Sequence, residues 1–254
     1  MKAADLFDLS GEVALVTGAS SGLGARFSRV LAANGAKVVC VARRKAKLDA
    51  LVAEVGPAAI AVEADATDDA AVSRAFDAAE KAFGPVTLLV NNAGIGRSTR
   101  LQDTDRAKWR ETLDINLDAL HYAAIQFVKR NAGKGGAIVN IASILGFGTG
   151  KGMGAYAVAK SGVIALTRAM AFDYAKLNIR ANAIAPGYFS TEINSDWLAG
   201  EGGAMVRDIP LRRFGQESEL DGALLLLASR KAGGYTTGAT YVVDGGHTVG
   251  LRGL

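Results

Sequence analysis

The chain has 254 residues, 50% of them hydrophobic, with 29 basic against 25 acidic side chains and a formal net charge of +4. That is enough apolar material for one large core, and the mild basic excess comes without the basic runs of a nucleic-acid binder. A single cysteine, Cys40, excludes an internal disulfide, and no apolar stretch approaches the ~20 residues of a bilayer span, so a soluble cytoplasmic protein without membrane or nucleic-acid partners is expected.

The first apolar run, VALVTG, leads through ASSGLG into a helical pattern. Gly18, Gly22 and Gly24 give G-x-x-x-G-x-G, a variant of the dinucleotide fingerprint: a tight turn, close backbone approach, and a helix N-terminus offering free N–H groups to a pyrophosphate. Ser20 and Ser21 add hydroxyls, and Leu23 lies within the turn. The second run, KVVCVA, ends at Ala42, where a carboxylate would hold a free ribose 2′-hydroxyl. Arg43 and Arg44 follow instead, and a guanidinium fork suits a 2′-phosphate. This favours NADP(H) over NAD(H), with Arg43 best placed toward the ribose; the alternative is that these cations only begin a solvated helix.

AAIAVEAD then closes a third run at Asp65 and Ala66, and VTLLVNNAG a fourth at Asn92, Ala93 and Gly94, with Ile95 just beyond. A long helical stretch reaches Arg130 and carries Asn116. GAIVNIAS places Ser143 at the end of a fifth run, before Ile144, Leu145, Phe147 and Met153. Tyr156 and Lys160, one helical turn apart, head the next helix. IRANAIAPG, ending in Pro186 and Gly187, and TYVVDGG supply two late strands. Short β-branched runs alternating with helices predict a doubly wound α/β fold: one parallel sheet of about seven strands, helices on both faces, in a single domain over 1–254. The stretch 188–214 is irregular and predicts a substrate flap, with Tyr188 and Trp197 as pocket walls; Trp197 reads equally as a subunit contact. His121 and His247 join no ligand cluster, so metal-free chemistry is expected.

Taken together, TGxxxGxG, NNAG, Asn116, Ser143, the Tyr156/Lys160 pair, PG and DGG resemble the short-chain dehydrogenase/reductase family over nearly the whole length. The resemblance implies NAD(P)-dependent interconversion of a ketone and a secondary alcohol. Tyr156 is the general acid/base, Lys160 lowers its proton affinity and binds the nicotinamide ribose, Ser143 polarises the carbonyl, and Asn116 holds a relay water. It implies that Asp65 meets the adenine, that Thr191 meets the carboxamide, and that the enzyme is a homotetramer. Thr87 departs from the family's usual Asp, which is expected to soften a structural hydrogen bond. Apolar walls at Ile95, Ile144, Leu145, Phe147, Met153, Tyr188 and Trp197 favour a neutral hydrophobic ketone, as for a carbonyl reductase or alcohol dehydrogenase. A 3-oxoacyl-thioester reductase is the alternative enzyme, and a cofactor-binding regulator without turnover the alternative class.

Overall fold

A computed structural model describes residues 2–131, 133–190 and 201–250. Seven parallel strands form one sheet in the order β3-β2-β1-β4-β5-β6-β9. They are β1 (Val13–Thr17), β2 (Lys37–Ala42), β3 (Ala59–Glu63), β4 (Leu88–Asn91), β5 (Gly136–Ile141), β6 (Ile179–Pro186) and β9 (Thr240–Val243). Strands β1, β4 and β5 are buried at every position, which explains their lack of polar alternation.

Helices cover both faces. On one, α2 (Gly22–Ala33), α3 (Lys45–Val55) and α8 (Asp221–Ala228) bring Leu31, Leu48 and Leu224 against Ala14, Val16 and Val90. On the other, α4 (Asp69–Phe83), α6 (Ala119–Arg130) and α7 (Gly154–Tyr174) bring Phe76, Phe127 and Met170 against Val13, Leu15 and Leu89. The period of two along β1 divides its side chains between the two layers. Helix α4 starts where the Asp68 carboxylate accepts from Ala70 and Ala71 N–H, a side-chain cap that satisfies two of the free donors.

Three elements depart from the sequence pattern. The long helical stretch does not run unbroken: α5 (Arg106–Leu113) passes through a π-turn at Asp114–Asp118 before α6. Helix α8 is an added element, and β7 (Phe189–Ser190) pairs in parallel with β8 (Gly215–Gln216) beside the main sheet. Thr87 does not cost the structure its bond. Its Oγ1 accepts from Val13 N–H at 3.0 Å and so still ties the start of β1 to the chain entering β4.

Arg180, on β6, holds the end of α8 by donating to the carbonyls of Leu227 (2.8 Å), Ser229 (3.4 Å) and Thr236 (3.2 Å). A cation at a helix C-terminus complements both the free carbonyls and the dipole. Arg180→Met keeps the aliphatic stem and strands these carbonyls. It is expected to cost about 2 kcal/mol in urea unfolding; an unchanged midpoint would remove Arg180 from this role.

Candidate active site

The carboxyl ends of β1 to β6 open into one cleft of about 510 Å³. It lies where β1 and β4 adjoin and the strand order reverses direction, the place such sheets bind ligands. Among its walls are Gly18, Ser20, Ser21, Gly22 and Leu23; Arg43, Arg44, Asp65 and Ala66; Asn92, Ala93, Gly94 and Ile95; Asn116, Ser143, Tyr156 and Lys160; and Pro186, Gly187 and Tyr188.

The β1–α2 turn is built by close backbone approach. A Cβ at Gly24 would stand 2.3 Å from Gly18 O, and one at Gly18 would stand 2.8 Å from Ala93 Cα. Gly18 also has φ +69°, a conformation that disfavours a side chain. Gly24 therefore does not line the cleft but packs the turn onto the helix. Thr17 and Asn92 bind this turn to the end of β4: Thr17 Oγ1 accepts from Asn92 and Ala93 N–H, both at 3.0 Å, and Asn92 Nδ2 donates to Thr17 O at 3.0 Å. The cradle, backbone donors and long cleft fit a dinucleotide.

Beyond β2 the two arginines divide. Arg44 sits over the turn, its Nη2 donating to Ser20 Oγ at 2.8 Å and Ser21 Oγ at 2.5 Å. Arg43 instead pairs with Asp65 across 3.6 Å. Burial raises the Asp65 pKa, but hydrogen bonds from Thr67 and the charge of Arg43 outweigh it and hold the carboxyl below its usual range. Asp65 thus anchors Arg43 and also forms its own turn with Thr67.

At the other end, Ser143 Oγ accepts from Leu145 N–H at 3.2 Å, capping the short 3₁₀ turn Ile144–Gly146, and its hydroxyl stands near enough to Tyr156 to favour the phenolate. Serving as a turn cap and facing the phenol are not exclusive. Lys160 is 3% exposed, donates from Nζ to Ile141 O at 2.8 Å, and lies 5.5 Å from the Tyr156 ring centroid. Burial lowers its pKa to about 8. Burial also pushes the Tyr156 phenol up, opposed by the nearby Ser143 hydroxyl. The expected lowering of Tyr156 by Lys160 is not among the causes of this shift, which enclosure dominates.

Asn116 stands in the π-turn and its carboxamide is spent on main chain. Oδ1 accepts from Ile95 N–H at 3.3 Å, and Nδ2 donates to Ile95 O and Thr112 O, both at 3.0 Å. The side chain therefore clamps the strand exit. A Cβ at Gly94 would lie 2.6 Å from Asn116 Oδ1, so only glycine passes here.

Ile144, Leu145, Phe147 and Met153 do not line the cleft. The Ser143-capped turn carries the chain away: Ile144 is 5% exposed within the protein and Phe147 is 50% exposed. Gly96, Ile115 and Phe189 do line it. Ile115 had only its neighbour Asn116 as a signal, and Gly96 and Phe189 had only their places after NNAG and PG. Thr191 and Trp197 lie outside the described residues. Among the described residues no group of three His, Cys, Asp or Glu could hold a metal, and no helix is long and apolar enough to cross a membrane.

The family model for short chain dehydrogenase matches residues 12–202. Galactitol 2-dehydrogenase (L-tagatose-forming) of Cereibacter sphaeroides is 39% identical over 258 residues, covering 96% of this chain and 98% of that protein. The NADP-dependent (R)-specific alcohol dehydrogenase of Lentilactobacillus kefiri is 35% identical, covering 94% and 98%. Among solved structures, a 2-deoxy-D-gluconate 3-dehydrogenase from Agrobacterium tumefaciens, so assigned provisionally and holding NADP, superposes with a TM-score of 0.88 at 39% identity over 97% of this chain and 100% of that one. With the seven-stranded sheet, the glycine cradle and the Ser143, Tyr156 and Lys160 cluster in one cleft, these likenesses mean that the chain belongs to the short-chain dehydrogenase/reductase family and is an oxidoreductase of alcohol and ketone groups.

Proposed function

We propose that the chain is a single Rossmann-type catalytic domain, with a flap around 188–214, that interconverts a neutral ketone and its secondary alcohol using NADP(H). The observation that carries this reading is the convergence of Ser143, Tyr156 and Lys160 on the cleft that holds the glycine cradle. A bound nicotinamide dinucleotide supplies or accepts the hydride. Tyr156 holds the proton that reaches the carbonyl oxygen in reduction and takes it back in oxidation. Ser143 donates to the same oxygen as charge develops there. Lys160, fixed on Ile141 O, keeps a positive charge beside the phenol, and Asn116 keeps the strand exit in place.

A phenol raised by burial is scarcely ionised at neutral pH, so little phenolate is present to act as base. Cationic charge entering the cleft favours phenolate, so ligand binding and proton affinity are coupled here. The walls near Tyr156 support a neutral substrate: Ile95, Gly96, Tyr188 and Phe189 carry no charge. The cations that would favour a thioester substrate are partly neutralised, Arg97 by Glu111 and Lys108 by Asp105. For the cofactor, Arg44 over Ser20 and Ser21, with Arg43 anchored by Asp65, supports a 2′-phosphate, as does the NADP of the solved relative. On α7, Val158 (49% exposed) and Phe172 (86% exposed) offer an apolar outer face that supports homotetramer assembly.

An initial-rate panel of aryl ketones, cyclic ketones, acetoacetyl-CoA and a free 3-oxo acid, with each coenzyme, tests the reading. Neutral ketones are expected to lead, and Tyr156→Phe should bind coenzyme yet lose at least about a hundredfold in kcat. Preference for the thioester, or an active Tyr156→Phe, defeats it. Arg43→Asp is expected to lower the NADPH/NADH ratio of kcat/KM by at least about tenfold, the loss of one charged hydrogen-bonding contact; an unchanged ratio would transfer the role elsewhere.

The buried Lys160 also sets a pH dependence. Its pKa of about 8 in the folded chain lies below the unfolded value of ~10.4, so between these the unfolded chain binds more protons. The stability of the wild type therefore rises with pH across that window. Lys160→Met, inactive, should be more stable at pH 7 by up to about 3 kcal/mol, and the gap should shrink in urea melts at pH 10. A gap that widens with pH contradicts the assignment.

A further inference from the structure

Beneath the cleft runs a buried polar chain that the proposed chemistry leaves unused. Asn91, Asn140 and Thr167 are 3%, 0% and 0% exposed. Asn91 and Asn140 are register partners on β4 and β5, and Asn91 Nδ2 donates to Asn140 Oδ1 at 3.0 Å. Asn140 Nδ2 donates in turn to Thr167 Oγ1 on α7 at 3.0 Å and lies 3.7 Å from Met170 Sδ. Thr167 Oγ1 donates to Val163 O at 2.7 Å. At the far end, Asn91 Nδ2 also reaches Leu120 O on α6, at 3.4 Å. The chain thus runs from the helix that follows the Asn116 turn, through two strands, to the helix of Tyr156 and Lys160.

Two amides in the interior of a doubly covered sheet are a costly choice. A buried polar group without partners costs about 1–3 kcal/mol, where an aliphatic side chain would cost nothing. What the amides provide is direction. Apart from this link and the Lys160–Ile141 bond, α7 meets the sheet through apolar side chains, Val163, Ile164, Met170 and Ala171. Apolar burial is non-directional and tolerates a helix sliding along its axis. A 3.0 Å hydrogen bond does not. Asn140 also immediately precedes Ile141, whose carbonyl takes the Lys160 ammonium, and stands three residues before Ser143. Strand β5 therefore meets α7 through two directed links, Asn140–Thr167 and Ile141–Lys160, with Ser143 above them.

We propose that the Asn91–Asn140–Thr167 chain is a positioning device: it fixes the axial register of α7 at which the Tyr156 phenol meets Ser143. The proposal rests on the assignment of Tyr156 and Lys160 to proton transfer.

The test compares Thr167→Val, which keeps the volume and removes the hydroxyl, with Thr167→Ser, which restores it. Met170→Leu alters the same core without breaking the amide–hydroxyl link. Melting temperature, NADPH affinity, kcat and the pH midpoint of kcat are read for each, on the best carbonyl of the panel. Thr167→Val is expected to lose about ten- to a hundredfold in kcat, as small misplacements of catalytic groups do, and to move the pH midpoint, with NADPH affinity within about twofold. Thr167→Ser should recover both, and Met170→Leu should lose thermal stability at most. If Thr167→Val does not fold, Thr167→Ala carries the same comparison. A Val or Ala variant that melts earlier but keeps kcat and pH midpoint would reduce the chain to a structural network and overturn the proposal. An active Tyr156→Phe would instead overturn the assignment beneath it, so the two failures are told apart.

Discussion

The enclosed ammonium of Lys160 is the constraint around which this molecule is arranged. Among the described residues its hydrogen-bond acceptor is the carbonyl of Ile141, and no carboxylate there pairs with it. A buried cation without a counter-ion is expensive to hold, and its lowered pKa is the measure of that expense. A fold tolerates such a residue where its unmet charge is useful. Here it stands 5.5 Å from the centroid of the Tyr156 ring, in the cleft that Ser143 also lines, and the enclosure that raises the phenol's pKa also limits screening of the ammonium. The rest of the core keeps strand β5 and helix α7 in the one relation that makes this possible.

The opposite end of the cleft works by the reverse principle. There the groups are exposed and paired, and recognition depends on shape supplied by backbone. The β1–α2 turn and the Thr17–Asn92 lacing leave no room for a side chain at Gly18 or Gly24. Charged groups stand at the rim, Arg43 and Arg44 with Asp65 beside them. One end of the site is thus dry and electrostatically strained, the other wet and adjustable, and the parallel sheet joins them.

Much of this was legible in the sequence, for a physical reason. Strands buried on both faces are mostly apolar and rich in Val and Ile, so VALVT and GAIVNI announce themselves, and the glycines of the turn are dictated by backbone proximity. The Tyr156 and Lys160 spacing follows from helix geometry alone. What stayed hidden depends on tertiary partners. The π-turn at Asp114–Asp118 carries no glycine or proline, and it exists where Asn116 binds Ile95, twenty-one residues away. Ile144 and Phe147 look like pocket walls by proximity to Ser143, but the cap on Leu145 N–H turns them elsewhere. Helix α8, with four successive leucines, shows no amphipathic period to read. Nor could spacing tell that Arg44, rather than Arg43, would lie over the serines.

The exposure of that arginine pair carries a consequence of its own. Arg43 has a side chain 73% open to solvent, and its carboxylate partner Asp65 is 39% open. Charges so placed are screened within a Debye length of about 8 Å at physiological ionic strength, whereas the buried Lys160 is screened much less. On the proposed reading, in which these arginines hold the 2′-phosphate, discrimination between two coenzymes that differ by one phosphate belongs partly to the surrounding electrolyte, while the chemistry at the dry end is far less exposed to it.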